Sequence, residues 1–281
     1  MAVVSTGFFD GVHLGHRRVI ETLVRTAERL KEESLVLTFW PHPRIVLQKD
    51  ADNLRLLSSL EEKKEMLLSL GVDRVEVIPF SREFASMDAQ TYLKALVRGV
   101  YGASSLVLGY DNTLGSDMLG PEEVKALAGS MGMDCTIVPP FGDISSTRIR
   151  RTLQDCDVQA AAAMLGYNYS ITGTIVSGKR LGRTIGFPTA NIHSNNPLKI
   201  VPGRGVYVTD VEIGGSHYHG MTNVGDIVET HILGFNEDIY GMEMRLEFLS
   251  FLREMKSFGG LDELKSQLEV DKENILLSLQ V

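Results

Sequence analysis

Five short apolar runs punctuate the first half of the chain: Ala2 to Thr6, Ser34 to Phe39, Arg74 to Phe80, Ser105 to Tyr110 and Cys135 to Val138. Stretches of helical periodicity separate them. Val19, Ile20, Leu23, Val24, Ala27 and Leu30 recur at helical spacing. Ser59 to Leu70 carries acids early and meets Gly71 as a stop, Asp88 can cap a helix bearing Tyr92, Leu93, Leu96 and Val97, and Pro121 suits the first turn of a helix ending near Gly132. Five strands alternating with four helices predict an α/β unit with a mostly parallel, doubly wound, Rossmann-like sheet. Ligands in such sheets bind beyond the carboxyl ends of the strands. His13 and His16 follow the first strand, Trp40-Pro41-His42-Pro43 the second and Gly109-Tyr110-Asp111-Asn112 the fourth.

The first of these ends is the most specific. Gly7-Phe8-Phe9-Asp10-Gly11-Val12-His13-Leu14-Gly15-His16 leaves a strand and opens a helix. Unpaired N–H groups and the helix dipole attract anions there, and two imidazoles three residues apart add donors for a polyphosphate. Gly11 and Gly15 let the backbone approach a ligand. After the fifth strand comes Ile144-Ser145-Ser146-Thr147-Arg148-Ile149-Arg150-Arg151, hydroxyls and then arginines at a helix start, which reads as a second anion site.

A helix is expected from about Thr147 to Leu165, ending at Gly166, with the alanines at 160 to 163 inside it. Beyond it the period becomes two. Tyr169 to Val176, Gly205 to Ile213 and Met242 to Phe248 read as strands separated by Gly, Asn and Pro turns, and Asp262 to Leu279 as a closing helix. Short antiparallel strands need closure of their edges, which points to a small Greek-key β-barrel with a C-terminal helix. The domains are therefore 1–165, with the linking helix, and 166–281.

Composition narrows the class. The formal charge of −8 argues against a nucleic-acid surface. Two cysteines, Cys135 and Cys156, give no disulfide framework and read as packing residues. No apolar stretch reaches membrane-spanning length, and the first residues run straight into a strand, so a cytoplasmic enzyme is expected.

The two runs Gly-Phe-Phe-Asp-Gly-Val-His-Leu-Gly-His and Ile-Ser-Ser-Thr-Arg-Ile-Arg resemble the signatures of the bacterial bifunctional riboflavin kinase/FMN adenylyltransferase family, also called FAD synthetase. The second half agrees. Gly178-Lys179-Arg180-Leu181-Gly182-Arg183, Gly186-Phe187-Pro188-Thr189-Ala190-Asn191, Asn223-Val224-Gly225 and Glu229-Thr230-His231-Ile232-Leu233 resemble riboflavin kinase motifs in the expected order.

The resemblance implies two reactions on ATP, riboflavin and FMN. In the first domain, His13 and His16 would hold ATP phosphates, with Arg150, Ser145, Ser146 and Thr147 on the other side and His42 helping. Gly7, Phe8, Asp10 and Gly15 belong to the same motif, and Asp111 and Asn112 would read nucleotide or flavin groups. In the second domain no P-loop sequence is present, so phosphoryl transfer needs another site. Thr189 and Asn191 offer hard oxygen ligands for Mg2+. Gly178, Lys179, Gly182, Arg183 and Asn223 would bind nucleotide or flavin, with the glycines allowing backbone approach to phosphates, and Glu229 would be the general base.

Three segments are shorter than the resemblance implies: after Asp111, between Phe141 and Ile144, and between Gly225 and Glu229. Either these are true deletions, or flexible loops are missing from the sequence as given; the second is favoured, because a barrel hairpin is expected to lose its crossing loop poorly. Two other readings stand beside the bifunctional enzyme. One is another nucleotidyltransferase of the His-x-Gly-His class. The other is a flavin- or nucleotide-binding protein that has lost catalysis.

Overall fold

The computed structural model describes residues 1–47, 53–178 and 181–278. It divides into two compact units, Met1–Ser146 and Thr147–Val281.

The first unit is built on β1 (Ala2–Thr6), β2 (Glu33–Trp40), β3 (Arg74–Pro79), β4 (Ala103–Gly109) and β5 (Asp134–Val138). All pair in parallel, in the order β3-β2-β1-β4-β5. The order reverses between β1 and β4, which is where a ligand crevice is expected. The central strands β1, β2 and β4 are near-continuous buried runs because both faces are covered, whereas the edge strands β3 and β5 are only partly buried. Val4, Leu35, Leu37, Leu106 and Leu108 pack on one side against Tyr92, Leu93 and Val97. Val3, Val36 and Val107 pack on the other against Val19, Ile20, Leu23 and Ala27 of α1 (Leu14–Leu30). Leu30, read as part of that apolar face, is exposed, because its turn runs past the edge of the sheet.

Short helices α2 (Pro43–Leu47) and α4 (Arg82–Ala85) punctuate the loops. α3 (Leu60–Ser69) starts with a capping box, Ser59 accepting from Glu62 N and Glu62 accepting from Ser59 N. Such a cap stabilises by roughly 1 kcal/mol. Asp88 caps α5 (Ala89–Thr91), which continues as a π-helix over Tyr92–Val100 rather than as an α-helix. α6 (Pro121–Ser130) carries proline at its first turn.

In the second unit, the single helix expected from Thr147 to Leu165 is two, α7 (Ser146–Gln154) and α8 (Val158–Leu165). Cys156 breaks it in left-handed backbone (φ 66°), and Asp157 accepts from Ala160 N to start α8. β6 (Ser170–Val176), α9 (Leu181–Thr184), β7 (Ala190–Ser194), β8 (Gly205–Ile213), β9 (Ser216–Val224), β10 (Val228–Ile232), β11 (Glu243–Arg253) and α10 (Leu261–Ser278) follow. The six strands close a barrel in the order β10-β7-β6-β11-β8-β9, every pairing antiparallel. Three of them, β7, β9 and β10, escaped the sequence reading, because their apolar alternation is interrupted by Asn, His and Thr. Ile275 of α10 packs against Phe187, Val206, Val208 and Met221.

The β9–β10 hairpin closes through Gly225-Asp226-Ile227 with Val224 opposite Val228. Gly225 N donates to Ile227 O at 3.2 Å. Three residues join these strands with the register intact. Cys135 and Cys156 are each half-buried.

Candidate active sites

The first site grows from a turn of unusual backbone. Phe9 (φ 54°), Gly11 (φ 74°) and Val12 (φ 38°) are all left-handed. For a β-branched residue such as Val12 that is strained by roughly 1–2 kcal/mol. Hydrogen bonds from surrounding elements hold the turn. Gly7 N donates to Leu37 O at 3.0 Å, and Gly11 N donates to Ser58 Oγ at 3.1 Å. The buried Asp10 carboxylate accepts from Leu57 N at 2.9 Å and Ser58 N at 3.2 Å. The turn delivers His13 to the first position before α1, where its Nδ1 accepts from His16 N at 3.3 Å. An accepting Nδ1 is unprotonated, so Nε2 carries the proton and is a donor.

The two imidazoles stack, 3.7 Å between centroids and 16° apart in plane. A Cβ on Gly15 would meet His13 Cε1 at 3.1 Å. Gly15 thus makes room for the imidazole, a different role from the backbone approach to ligand expected of it. Burial, then the neighbouring His13 and Lys63, hold the His16 imidazolium well below the ordinary value of 6.5, so His16 is neutral. Its Nδ1 is enclosed and has no hydrogen-bond partner among the described residues. Two neutral imidazoles beside the open N–H groups of a helix start make a donor-lined anion site.

The remaining residues read for this site fall in several places. His42 caps α2, its Nδ1 accepting from Arg44 N at 3.1 Å, and lies edge-on to Phe8 at 4.3 Å. Asp111 is exposed just beyond β4, whereas the Asn112 amide donates to Thr6 O at 2.6 Å and so braces β1. Ser145 is exposed, and Ser146 Oγ, at the end of the first unit, donates to Asp10 O at 3.0 Å, which braces the turn. Thr147 and Arg150 belong to the second unit, with Arg150 Nη2 3.4 Å from Thr147 Oγ1. Lys63 went unnoticed in the charged run Leu60-Glu61-Glu62-Lys63-Lys64-Glu65. Its spacing from Leu60 and Leu67, three and four residues, is the signal that it turns inward.

The second site is a cavity of about 420 Å³ in the barrel unit. Gly178, Gly182, Thr189, Asn191, Asn223 and Glu229 all line it. The strand register explains how. Glu229 of β10 pairs with Asn191 of β7 on one side and with Asn223 of β9 on the other. Directly opposed residues in antiparallel strands project to the same face. Asn191 is buried, and its Oδ1 has no partner among the described residues. A Cβ on Gly178 would fall 1.8 Å from Asn191 Nδ2, so this glycine makes room for the amide. Arg183 sits on α9, and Lys179 lies outside the described residues.

The cavity wall also contains residues that the sequence reading passed over. His231 follows Glu229 by two on the same strand face. Its Nδ1–H donates to Pro188 O at 2.8 Å and its ring meets Phe187 edge-on, while burial lowers its pKa. Arg253 is held by the buried Asp271 carboxylate, with Nε to Oδ2 at 2.9 Å and Nη2 to Oδ2 at 2.7 Å.

The chain matches two family models: FAD synthetase over residues 1–153 and riboflavin kinase over residues 165–279. A bifunctional riboflavin kinase/FMN adenylyltransferase of Bacillus subtilis is 35% identical, the match covering 98% of this chain and 92% of that protein. That of Escherichia coli K12 is 33% identical over 96% of this chain and 90% of its own length. A crystal structure described as a macrolide-efflux protein from Streptococcus pneumoniae superposes with a TM-score of 0.90 at 34% identity, covering 97% of this chain and 93% of that one. Among the described residues of the present chain, no helix is long and apolar enough to cross a membrane.

Proposed function

The chain belongs to the family of bifunctional riboflavin kinases/FMN adenylyltransferases, and from that premise we infer how its own residues divide the work. It phosphorylates riboflavin to FMN with ATP, then joins the AMP moiety of ATP to FMN, giving FAD and pyrophosphate. The two family matches support a division of the activities near residue 165, with 1–165 carrying adenylyl transfer and 166–281 the kinase.

The observation that carries the kinase assignment is the row Asn191–Glu229–Asn223 at the cavity wall. Glu229 accepts the proton of the riboflavin 5′-hydroxyl as that oxygen attacks the γ-phosphorus of ATP and ADP leaves. The unpartnered Asn191 Oδ1 and the Thr189 hydroxyl are oxygen donors that fit Mg2+. Bound there, magnesium would neutralise charge on the phosphates. His231 anchors the Pro188 carbonyl and so orients the segment that presents Thr189.

In adenylyl transfer, an FMN phosphate oxygen attacks the α-phosphorus of ATP and pyrophosphate departs. His13 Nε2–H and neutral His16 donate hydrogen bonds to the phosphoryl oxygens as charge builds on them, and the α1 N-terminus adds its N–H groups. Asp10 and Asn112, both turned onto protein backbone, act by bracing the turn. Consumption of ATP in both steps supports a cytoplasmic location.

The test is direct. The protein is incubated with riboflavin, ATP and magnesium, and the flavins are separated by chromatography. FMN should appear first and FAD after it. Conversion of supplied FMN to FAD without any phosphorylation of riboflavin would leave only the nucleotidyltransferase reading, and neither product would leave a binding protein.

A further inference from the structure

Lys63 is only 2% exposed, yet its ammonium has no carboxylate hydrogen-bonded to it among the described contacts. Nζ donates to Phe8 O at 2.8 Å and sits 3.9 Å over the Phe8 ring. Phe8 O also accepts from Thr38 Oγ1 at 3.2 Å. A buried lysine is rare unless something compensates its lost hydration. Here the compensation comes from a carbonyl, an aromatic face and, across space, the Asp10 carboxylate. Phe8 is the residue immediately before the left-handed run at Phe9, Gly11 and Val12. Strained backbone persists only where surrounding contacts over-determine it.

We propose that Lys63 is a positioning residue for adenylyl transfer: its ammonium clamps Phe8 O and holds the strained turn that aims His13 and His16. This rests on the adenylyltransferase reading of that site. Facing Lys63 are Asp10 from the turn and His16 from α1, and facing His16 are His13 and Lys63. The ammonium adds to burial and to His13 in disfavouring positive charge on His16. Burial pushes the Lys63 ammonium itself down to about 8, with Asp10 pulling it back up. The clamp therefore weakens as pH rises through that value.

The experiment pairs both activities on one preparation. With Lys63→Met, FMN adenylylation at pH 7 should fall roughly tenfold to a hundredfold, the loss expected from a hydrogen bond to a charged group. Riboflavin phosphorylation should not change. The His16 imidazole, followed by NMR, should titrate closer to 6.5 than in the unaltered protein; because loosened burial would move it the same way, the charge-keeping variant is the control. Lys63→Arg, which keeps the charge, should leave the His16 titration low. Should Lys63→Met fail to fold, the unaltered enzyme serves: adenylylation should decline above about pH 8 while the kinase does not. Unchanged adenylylation in Lys63→Met, an unmoved His16 titration, or identical alkaline profiles for the two activities would overturn the proposal. If unaltered protein fails to make FAD from FMN and ATP, the underlying reading fails instead.

Discussion

Glu229 on β10 stands directly opposite Asn191 on β7. The carboxylate proposed to take the proton and the amide oxygen proposed for the metal thus share one face of one sheet, on adjacent strands. Glu229→Gln keeps the size of the side chain and removes its capacity to accept the proton. Riboflavin phosphorylation should fall by about 10²–10⁴, the usual cost of losing a general base. Supplied FMN should still become FAD at the normal rate, as measured by flavin chromatography. Near-normal kinase activity would remove Glu229 from the chemistry.

Gly178 tests the metal side of the same row. A methyl group there would fall 1.8 Å from Asn191 Nδ2, so the amide must move. Gly178→Ala should raise the magnesium concentration needed for half-maximal kinase activity, while the FMN adenylylation rate stays constant. A magnesium titration that superposes on that of the unaltered protein would separate Asn191 from the metal.

His16 tests the other unit. Removing one preorganised donor to developing phosphoryl charge typically costs on the order of 10²–10³ in rate. His16→Ala should lower FAD formation by about that much and spare riboflavin phosphorylation. Equal loss of both activities would point to a folding defect.

Stability should depend on pH through the buried histidines. The imidazolium of His16 and that of His231 are both held below the ordinary 6.5, chiefly by burial. Between the lowered folded values and 6.5 the unfolded chain binds more protons than the folded one, so stability rises with pH. Above pH 6.5 these two residues add no pH dependence, and below it they progressively destabilise the fold. Urea unfolding between pH 7 and pH 5 should show this decline, and His231→Gln should flatten it in the barrel unit.

Asp271 of α10 is 1% exposed and holds Arg253 of β11 through its carboxylate. Asp271→Ala leaves the guanidinium enclosed without its partner. Breaking one half of a buried pair costs about 3–5 kcal/mol. The variant should unfold at a correspondingly lower urea concentration. A loss under 1 kcal/mol would mean that Arg253 finds water or another acceptor.

Much of this molecule can be read without coordinates, and the limit of that reading has a physical cause. Local patterning determined the first unit: the central runs β1, β2 and β4 are apolar because both faces of a parallel sheet are covered, and caps such as Ser59 and Asp88 act on their own helices. Sequence also singled out His13, His16, Thr189, Asn191 and Glu229, because their residue types and spacing are tied to chemistry. Tertiary structure decided what could not be local. Whether Asn191, Glu229 and Asn223 form a row depends on strand register across the closed barrel, and β7, β9 and β10 are too broken by polar residues to announce themselves. Gly178 clears space for the Asn191 amide, a side chain that only the folded barrel brings near. Lys63 looks like surface charge in its run of acids and lysines. Only the packing of α3 against the Phe8 turn removes that ammonium from water, because burial depends on neighbours that are distant in the chain.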